Sequence, residues 1–222
     1  MEQPLAVDGA RFSSAAYWEG RYRAGGHSGA GSYGRLAAFK ADFLNALVRD
    51  NSIASAIEFG CGDGNQLALL EVAEYVGLDV APAAVARCRA RFAGQQGRDF
   101  RLMEECRGMA AAELGLSLDV VYHLVEDVVF GAYMQALFDH AWRFVVIYAS
   151  DTDAEWPSEH VRHRRFTGYV AQHFPEWHLA AVVPNIFPYD PQRPGHTSFA
   201  AFHVYRQAHE VVRITVPGAM AG

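Results

Sequence analysis

Three glycines at alternate positions follow an acidic residue at the end of an apolar run, in Ala56-Ile57-Glu58-Phe59-Gly60-Cys61-Gly62-Asp63-Gly64-Asn65. A second apolar run, Tyr75-Val76-Gly77-Leu78, ends in Asp79 and Val80. Glycines this dense at a strand end admit a ligand that a Cβ would hold away from the backbone. An acid at the tip of the next strand suits the two hydroxyls of a ribose, as dinucleotide sites illustrate. Together the two features point to a nucleoside-containing cofactor.

The spacing narrows which one. A nicotinamide or flavin site requires G-x-G-x-x-G between a strand and a helix. Counted from Gly60 the sixth position is Asn65, so that fingerprint fails. A literal match occurs at Gly29, Gly31 and Gly34, with Asp50 downstream, but it follows a polar segment rather than an apolar strand. The triphosphate loop G-x-x-x-x-G-K-[ST] is absent from the sequence.

The elements that must position these residues follow from hydrophobic periodicity. Strands are expected over 54–60, 75–80, 100–103, 114–119, 144–149, 177–183 and 198–206. The run Phe144-Val145-Val146-Ile147-Tyr148-Ala149 has the unbroken apolar character of a fully buried central strand. Helices are expected over 64–73, 82–92 (opened by Pro82), 127–141 and 164–173. Before them, Leu36, Phe39, Phe43, Leu44 and Leu47 share one helical face, and Tyr17, Trp18 and Tyr22 have helical spacing. Alternating strands and helices imply an α/β fold with a seven-stranded, mostly parallel, doubly wound sheet. The last two strands lack a helix of usual length between them, which implies an antiparallel edge strand. Residues 1–50 form an N-terminal helical and glycine-rich lid, 51–207 the main domain and 208–222 a tail.

The pattern E-x-G-x-G-x-G with a downstream acid resembles motif I and the following acidic motif of the class I S-adenosylmethionine-dependent methyltransferases. The resemblance spans roughly residues 54–150. It implies S-adenosyl-L-methionine as cofactor, with Glu58, Gly60, Cys61, Gly62, Gly64 and Asn65 around its methionine moiety and Asp79 and Val80 at its ribose. Glu104 or Glu105, after the third strand, would face the adenine. Asp119-Val120-Val121-Tyr122-His123 resembles the family's "DVxxH" loop beside the transferred methyl, which adds Asp119 to the cofactor contacts. Trp142-Arg143-Phe144 replaces the Pro-Gly-Gly turn common before the fifth strand, so the acceptor side departs from the commonest members.

Methyl transfer from a sulfonium needs an aligned nucleophile, exclusion of water and, for some acceptors, a general base. His123 is the first candidate base and Tyr122 its orienting neighbour; alternatively His123 only shapes the pocket. In His160-Val161-Arg162-His163-Arg164-Arg165, His163 is a second candidate base, and Arg162 and Arg164 could fork onto an anionic acceptor. The bland reading is a solvated helix start whose charges pair with Glu155 and Glu159. A metal at His160 and His163 would need a third ligand from Asp151 or Asp153, and no metal is expected. The glycines of 25–34 suit hinges, with Tyr17, Trp18 and Tyr33 excluding water. Tyr33, Tyr189, Arg193 and His196 are candidate acceptor contacts.

At 222 residues, with 51% hydrophobic residues and a net charge of −6, the chain fits one domain with a lid acting on a small molecule. Nucleic acid is an unlikely partner, no run spans a membrane, and a homodimer is compatible. Cys61, Cys88 and Cys106, odd in number and unpaired in motif, suit a reducing cytoplasm. The expected function is methyl transfer to oxygen or nitrogen of a small polar or anionic metabolite or sugar. A protein or nucleic-acid methyltransferase, or a non-catalytic S-adenosylmethionine-binding scaffold, are the alternatives; the base-modifying motif [DNS]-P-P-[YFW] is absent after 119.

Overall fold

The computed structural model describes residues 12–216, so positions 1–11 of the lid segment and 217–222 of the tail lie outside the described residues. Seven strands form one sheet: β1 (Ser55–Phe59), β2 (Glu74–Asp79), β3 (Arg98–Leu102), β4 (Ala112–Leu118), β5 (Ala141–Ala149), β6 (Trp177–Pro184) and β7 (Ala201–Gln207). Their order is β3-β2-β1-β4-β5-β7-β6. The first five are parallel, and β7 runs antiparallel between β5 and the edge strand β6.

Five helices accompany the sheet: α1 (Ser14–Arg23), α2 (Gly34–Asp50), α3 (Pro82–Arg91), α4 (Asp127–Asp139) and α5 (Phe166–His173). Alternate side chains of β5 point to opposite faces, as strand geometry requires. Phe144, Val146 and Tyr148 pack with Phe39, Phe43 and Leu47 of α2 and Val85 of α3. Val145, Ile147 and Ala149 pack with Phe130, Met134 and Leu137 of α4 and Phe166 and Val170 of α5. Both faces of the sheet are therefore covered, which is why β5 reads as a continuous apolar run.

The helix expected over 64–73 does not form. A helix returning along a five-residue strand, about 17 Å at ~3.3 Å per residue, needs about eleven residues at ~1.5 Å each. Only nine residues separate Gly64 from Glu74. They make a single 3₁₀ turn at Leu67–Leu69 and then extend. Leu67, Leu70 and Val72 are still buried. Asn45 of α2 replaces part of the missing helical bonding: its Nδ2 donates to the Leu69 carbonyl at 2.9 Å and its Oδ1 accepts from the Glu71 N–H at 2.8 Å. The layer is filled by α2 instead.

β1 and β4 are adjacent, while the chain continues from β1 to β2 on one side and from β4 to β5 on the other. Connections leave their carboxyl ends in opposite directions. Sheets of this kind bind ligands in the crevice at that switch point.

Candidate active site

A cleft opens at the carboxyl ends of β1, β2 and β4, where open α/β sheets bind their ligands. Its wall includes Glu58, Gly60, Cys61, Gly62, Asp79, Val80 and Asp119, together with His123. Gly60, Gly62 and Gly64 all have positive φ, at 83°, 59° and 72°. A Cβ on Gly62 would lie 2.2 Å from Ser28 Oγ and 2.9 Å from the Tyr22 hydroxyl oxygen. Glycine at 62 therefore admits the N-terminal segment as much as a ligand.

That segment closes over the cleft. Ser14, Ala15, Trp18 and Tyr22 of α1, with Ser28 and Ser32 of the loop after it, complete the wall. At its N-terminal end the Ser14 N–H and hydroxyl donate to the two oxygens of Glu126 at 2.9 and 2.7 Å. Burial opposes ionisation of Glu126, but these bonds outweigh it and hold the carboxyl below its ordinary range. In the loop after α1, the Ser28 N–H donates to Asp63 Oδ2 and the Asp63 N–H donates back to Ser28 Oγ, both at 2.9 Å. Tyr33 donates to the same carboxylate oxygen at 2.7 Å, and Asn65 Nδ2 to the Ser32 carbonyl at 2.7 Å. Tyr33 and Asn65 thus serve this clasp, and neither they nor Gly64 line the cleft; Gly64 packs against Cys88 and Phe92.

Asp79 is 5% exposed, and its two oxygens accept from the Gly62 and Ala81 N–H groups at 2.9 Å each. Burial pushes its carboxyl up to about 6 against the pull of those bonds. A carboxylate has further lone pairs beyond the two used, so it can still accept from ribose hydroxyls. Glu58 is buried behind the glycine loop and accepts from the Tyr75 hydroxyl; burial raises it to about 7. Glu104 and Glu105 are exposed, and Glu105 accepts from the Leu102 N–H at 2.7 Å; Met103 lines the cleft in their stead.

Asp119 ends β4 with φ at 60°, a left-handed conformation that Asp tolerates better than most residues. Its Oδ2 accepts from Lys40 Nζ at 2.6 Å and its Oδ1 from the Tyr122 hydroxyl at 2.8 Å. Lys40 is fully buried. The sequence reading passed over it, although its place on the apolar face of α2, one turn from Leu36 and from Leu44, was the available signal. Gln66, Ser14 and Ser28 were also missed; each is a polar residue whose role depends on a partner distant in sequence.

His123 lines the cleft from a 3₁₀ turn at Val121–His123. Its Nδ1–H donates to the His160 carbonyl at 2.8 Å, which fixes the tautomer and leaves Nε2 with the lone pair. Its ring stacks on that of His160 and meets the edge of Trp18. Burial lowers it to about 4, so the imidazole is neutral near pH 7. Tyr122 is turned away toward Asp119 and Phe199.

The remaining sequence candidates lie elsewhere. His163 is buried beside Tyr122 and shares a 2.6 Å hydrogen bond with Ser150, whereas His160 stacks on Tyr17 and His123. Among the described residues no three His, Cys, Asp or Glu side chains gather as a metal site. Arg162 and Arg164 are paired not with Glu155 and Glu159 but with Asp127, at 3.0 and 3.1 Å, and donate to the Val125 carbonyl. They border a separate surface concavity with His163. Tyr189 packs against Trp156 and Phe199, Arg193 pairs with Asp190, and His196 is exposed with its carbonyl accepting from Arg35. The three cysteines are free thiols, and among the described residues no helix is long and apolar enough to cross a membrane.

Lys40 and Asp119 give a testable energetic claim. Replacing Lys40 by Met strands a buried carboxylate and should cost about 3–5 kcal/mol in denaturant unfolding. Pairing Lys40→Met with Asp119→Asn should recover much of that loss. Equal destabilisation in the single and double variants would contradict the coupling.

No family model matches the sequence and no curated protein matches it. Solved structures do match its fold. Mitomycin 7-O-methyltransferase superposes with a TM-score of 0.57 at 12% identity, over 78% of this chain and 53% of that one, so this chain spans about half its length. Magnesium protoporphyrin IX methyltransferase from Synechocystis PCC 6803, with bound S-adenosylhomocysteine, gives 0.59 at 16% identity over 78% and 85%. N-methyltransferase NodS from Bradyrhizobium japonicum WM9, in complex with the same product, gives 0.60 at 12% identity over 78% and 88%. The chain has the fold of the class I S-adenosylmethionine-dependent methyltransferases.

Proposed function

We propose that this protein is an S-adenosylmethionine-dependent methyltransferase that acts on a small polar molecule such as a metabolite or sugar, at an oxygen or nitrogen. The observation that carries the reading is the meeting of Asp79, the Gly60–Gly62 turn and Asp119 in one cleft at the switch point of the sheet. The bound cofactor supplies a methyl on a cationic sulfur, and transfer removes that charge. In this reading Asp79 accepts from the ribose hydroxyls, the Gly60–Gly62 backbone borders the amino-acid portion, and Trp18 and Tyr22 exclude water from above.

His123 is the residue proposed to take the acceptor's proton, through Nε2. An imidazole held down to about 4 is too weak a base to deprotonate an ammonium beforehand. It suffices for an oxygen that has become strongly acidic by gaining the methyl, which favours a hydroxyl acceptor. Arg162 and Arg164 are already engaged by Asp127, so an anionic acceptor at that point would have to displace a carboxylate. A cleft that must hold cofactor and acceptor together beneath α1 favours a small acceptor over a protein or nucleic acid. The free cysteines suit a reducing compartment such as the cytoplasm.

Calorimetry with S-adenosylhomocysteine tests the cofactor. The wild-type protein should bind it, and Asp79→Ala should abolish binding; undiminished binding by the variant would remove Asp79 from the site. His123→Gln should keep the affinity within a few-fold while turnover on an acceptor drops by about 10²–10⁴-fold. An unchanged rate would reduce His123 to a wall residue.

The pH dependence has a definite sign. In the ligand-free protein the raised Asp79 favours its neutral form, so its contribution to stability is full below about pH 4 and is lost as pH rises through about 6. Ribose hydroxyls favour the carboxylate, so binding releases a proton. S-adenosylhomocysteine should therefore bind more tightly as pH rises from 5 and level off once Asp79 is ionised. Asp79→Asn should remove the break near pH 6 and leave any break near 7 that belongs to Glu58. Affinity that falls with rising pH would contradict the assignment.

A further inference from the structure

Among the described residues only two buried side-chain polar atoms lack a hydrogen-bond partner, Gln66 Oε1 and the Tyr205 hydroxyl. Gln66 is 6% exposed and lines the cleft. Its Nε2 donates to the Ala37 carbonyl at 3.1 Å, so the amide cannot be turned without setting two carbonyl oxygens against each other. Oε1 is thus fixed as a buried acceptor with no donor from the protein. Such an atom is costly to bury, and one in a ligand cleft calls for a ligand donor.

Its place in the cleft says which donor. Ala37, to which Gln66 is tied, stands three residues before Lys40 on α2, and Lys40 holds Asp119. The neighbouring Asn65 side chain is tied to the Ser32 carbonyl. Gly31, next to Ser32, lies so close to Asp119 that a Cβ there would be 2.5 Å from Oδ2. Gln66 therefore belongs to the β1–β4 side of the cleft. Asp79, Val80 and Met103 mark the opposite, β2–β3 side, where the ribose and adenine would lie. S-Adenosylmethionine has donors in its adenine amine, ribose hydroxyls and α-ammonium, and the first two are claimed by that opposite side.

We infer that Gln66 recognises the α-ammonium of the cofactor's amino-acid portion through Oε1, with the Asp119 carboxylate on the same side of the cleft. This rests on the cofactor assignment made above. Lys40 and Tyr122 hold Asp119, and Ala37 holds the Gln66 amide, so the two acceptors are set before the ligand arrives. Gln66 is then a specificity residue for the amino acid rather than for the nucleoside.

Calorimetric binding of three probes decides it: S-adenosylhomocysteine, its deaminated analogue and 5′-methylthioadenosine, which lacks the amino acid. Gln66→Met should weaken S-adenosylhomocysteine by about ten- to a hundredfold, the range for a hydrogen bond to a charged group. It should leave the deaminated analogue and 5′-methylthioadenosine within about twofold of wild type, which also shows that the variant folds. Gln66→Glu, which keeps an acceptor, should retain S-adenosylhomocysteine binding. Equal loss for all three probes, or no loss for any, would overturn the inference while leaving the cofactor assignment standing. Wild-type protein that binds none of them would overturn both.

Discussion

The ion pair between Lys40 and Asp119 joins the two halves of this molecule. Lys40 comes from the segment before the sheet, and Asp119 from the end of β4 at the switch point. The Lys40 side chain is fully buried, and the Asp119 carboxylate that partners it lies 2.6 Å away. The bond ties α2 to the end of β4, while the apolar face of α2 fills the layer that the short β1–β2 connection leaves open. It also holds the acid that faces the cleft from β4. Around it stand Glu58 and Asp79, both pushed up chiefly by burial and raised further by nearby carboxylates. Three acids therefore share a desolvated space with one buried lysine. Such a space is short of positive charge, and a ligand carrying a sulfonium and an ammonium supplies it. When the methyl leaves, the sulfonium charge goes with it, which would loosen the product relative to the substrate.

The second constraint is the cover. α1 packs Trp18 and Tyr22 on Ala81, Ala83 and Ala84 and is otherwise held by polar contacts. Glu126 receives the first turn, the Ala83 N–H donates to Glu19, and Arg87 donates to the Tyr22 and Gly26 carbonyls. The Ser28–Asp63 exchange then closes the loop directly on the glycine turn. These polar contacts and one small apolar cluster hold the cover, apart from the two main core clusters on the faces of the sheet.

Much of the sheet was legible because strand periodicity and glycine placement are local signals. β1, β2, the run at β5 and the antiparallel pair β6–β7 all follow from patterning. The helix expected over 64–73 misled because its apolar spacing is real, while the length of chain available is a property of the whole crossover. The acids at the strand tips that line the cleft, Glu58, Asp79 and Asp119, were legible for the same reason as the strands. Lys40 was not, because a lysine on an apolar face reads as a surface residue until its partner seventy-nine positions away is known. The arginines at 162 and 164 have a composition that suits an anion, and the partner the structure gives them, Asp127, was not legible from their spacing. Gln66 carries no motif, and only an unpaired oxygen in three dimensions marks it.

Hydrogen exchange with and without S-adenosylhomocysteine tests the central claim most directly, namely that the β1–β4 cleft beneath α1 is the cofactor site. The amides of 14–32, 60–64, 79–81 and 119–124 should gain protection together, because ligand, glycine turn and cover form one unit. Protection confined to 162–169, or none at saturating ligand, would contradict the account.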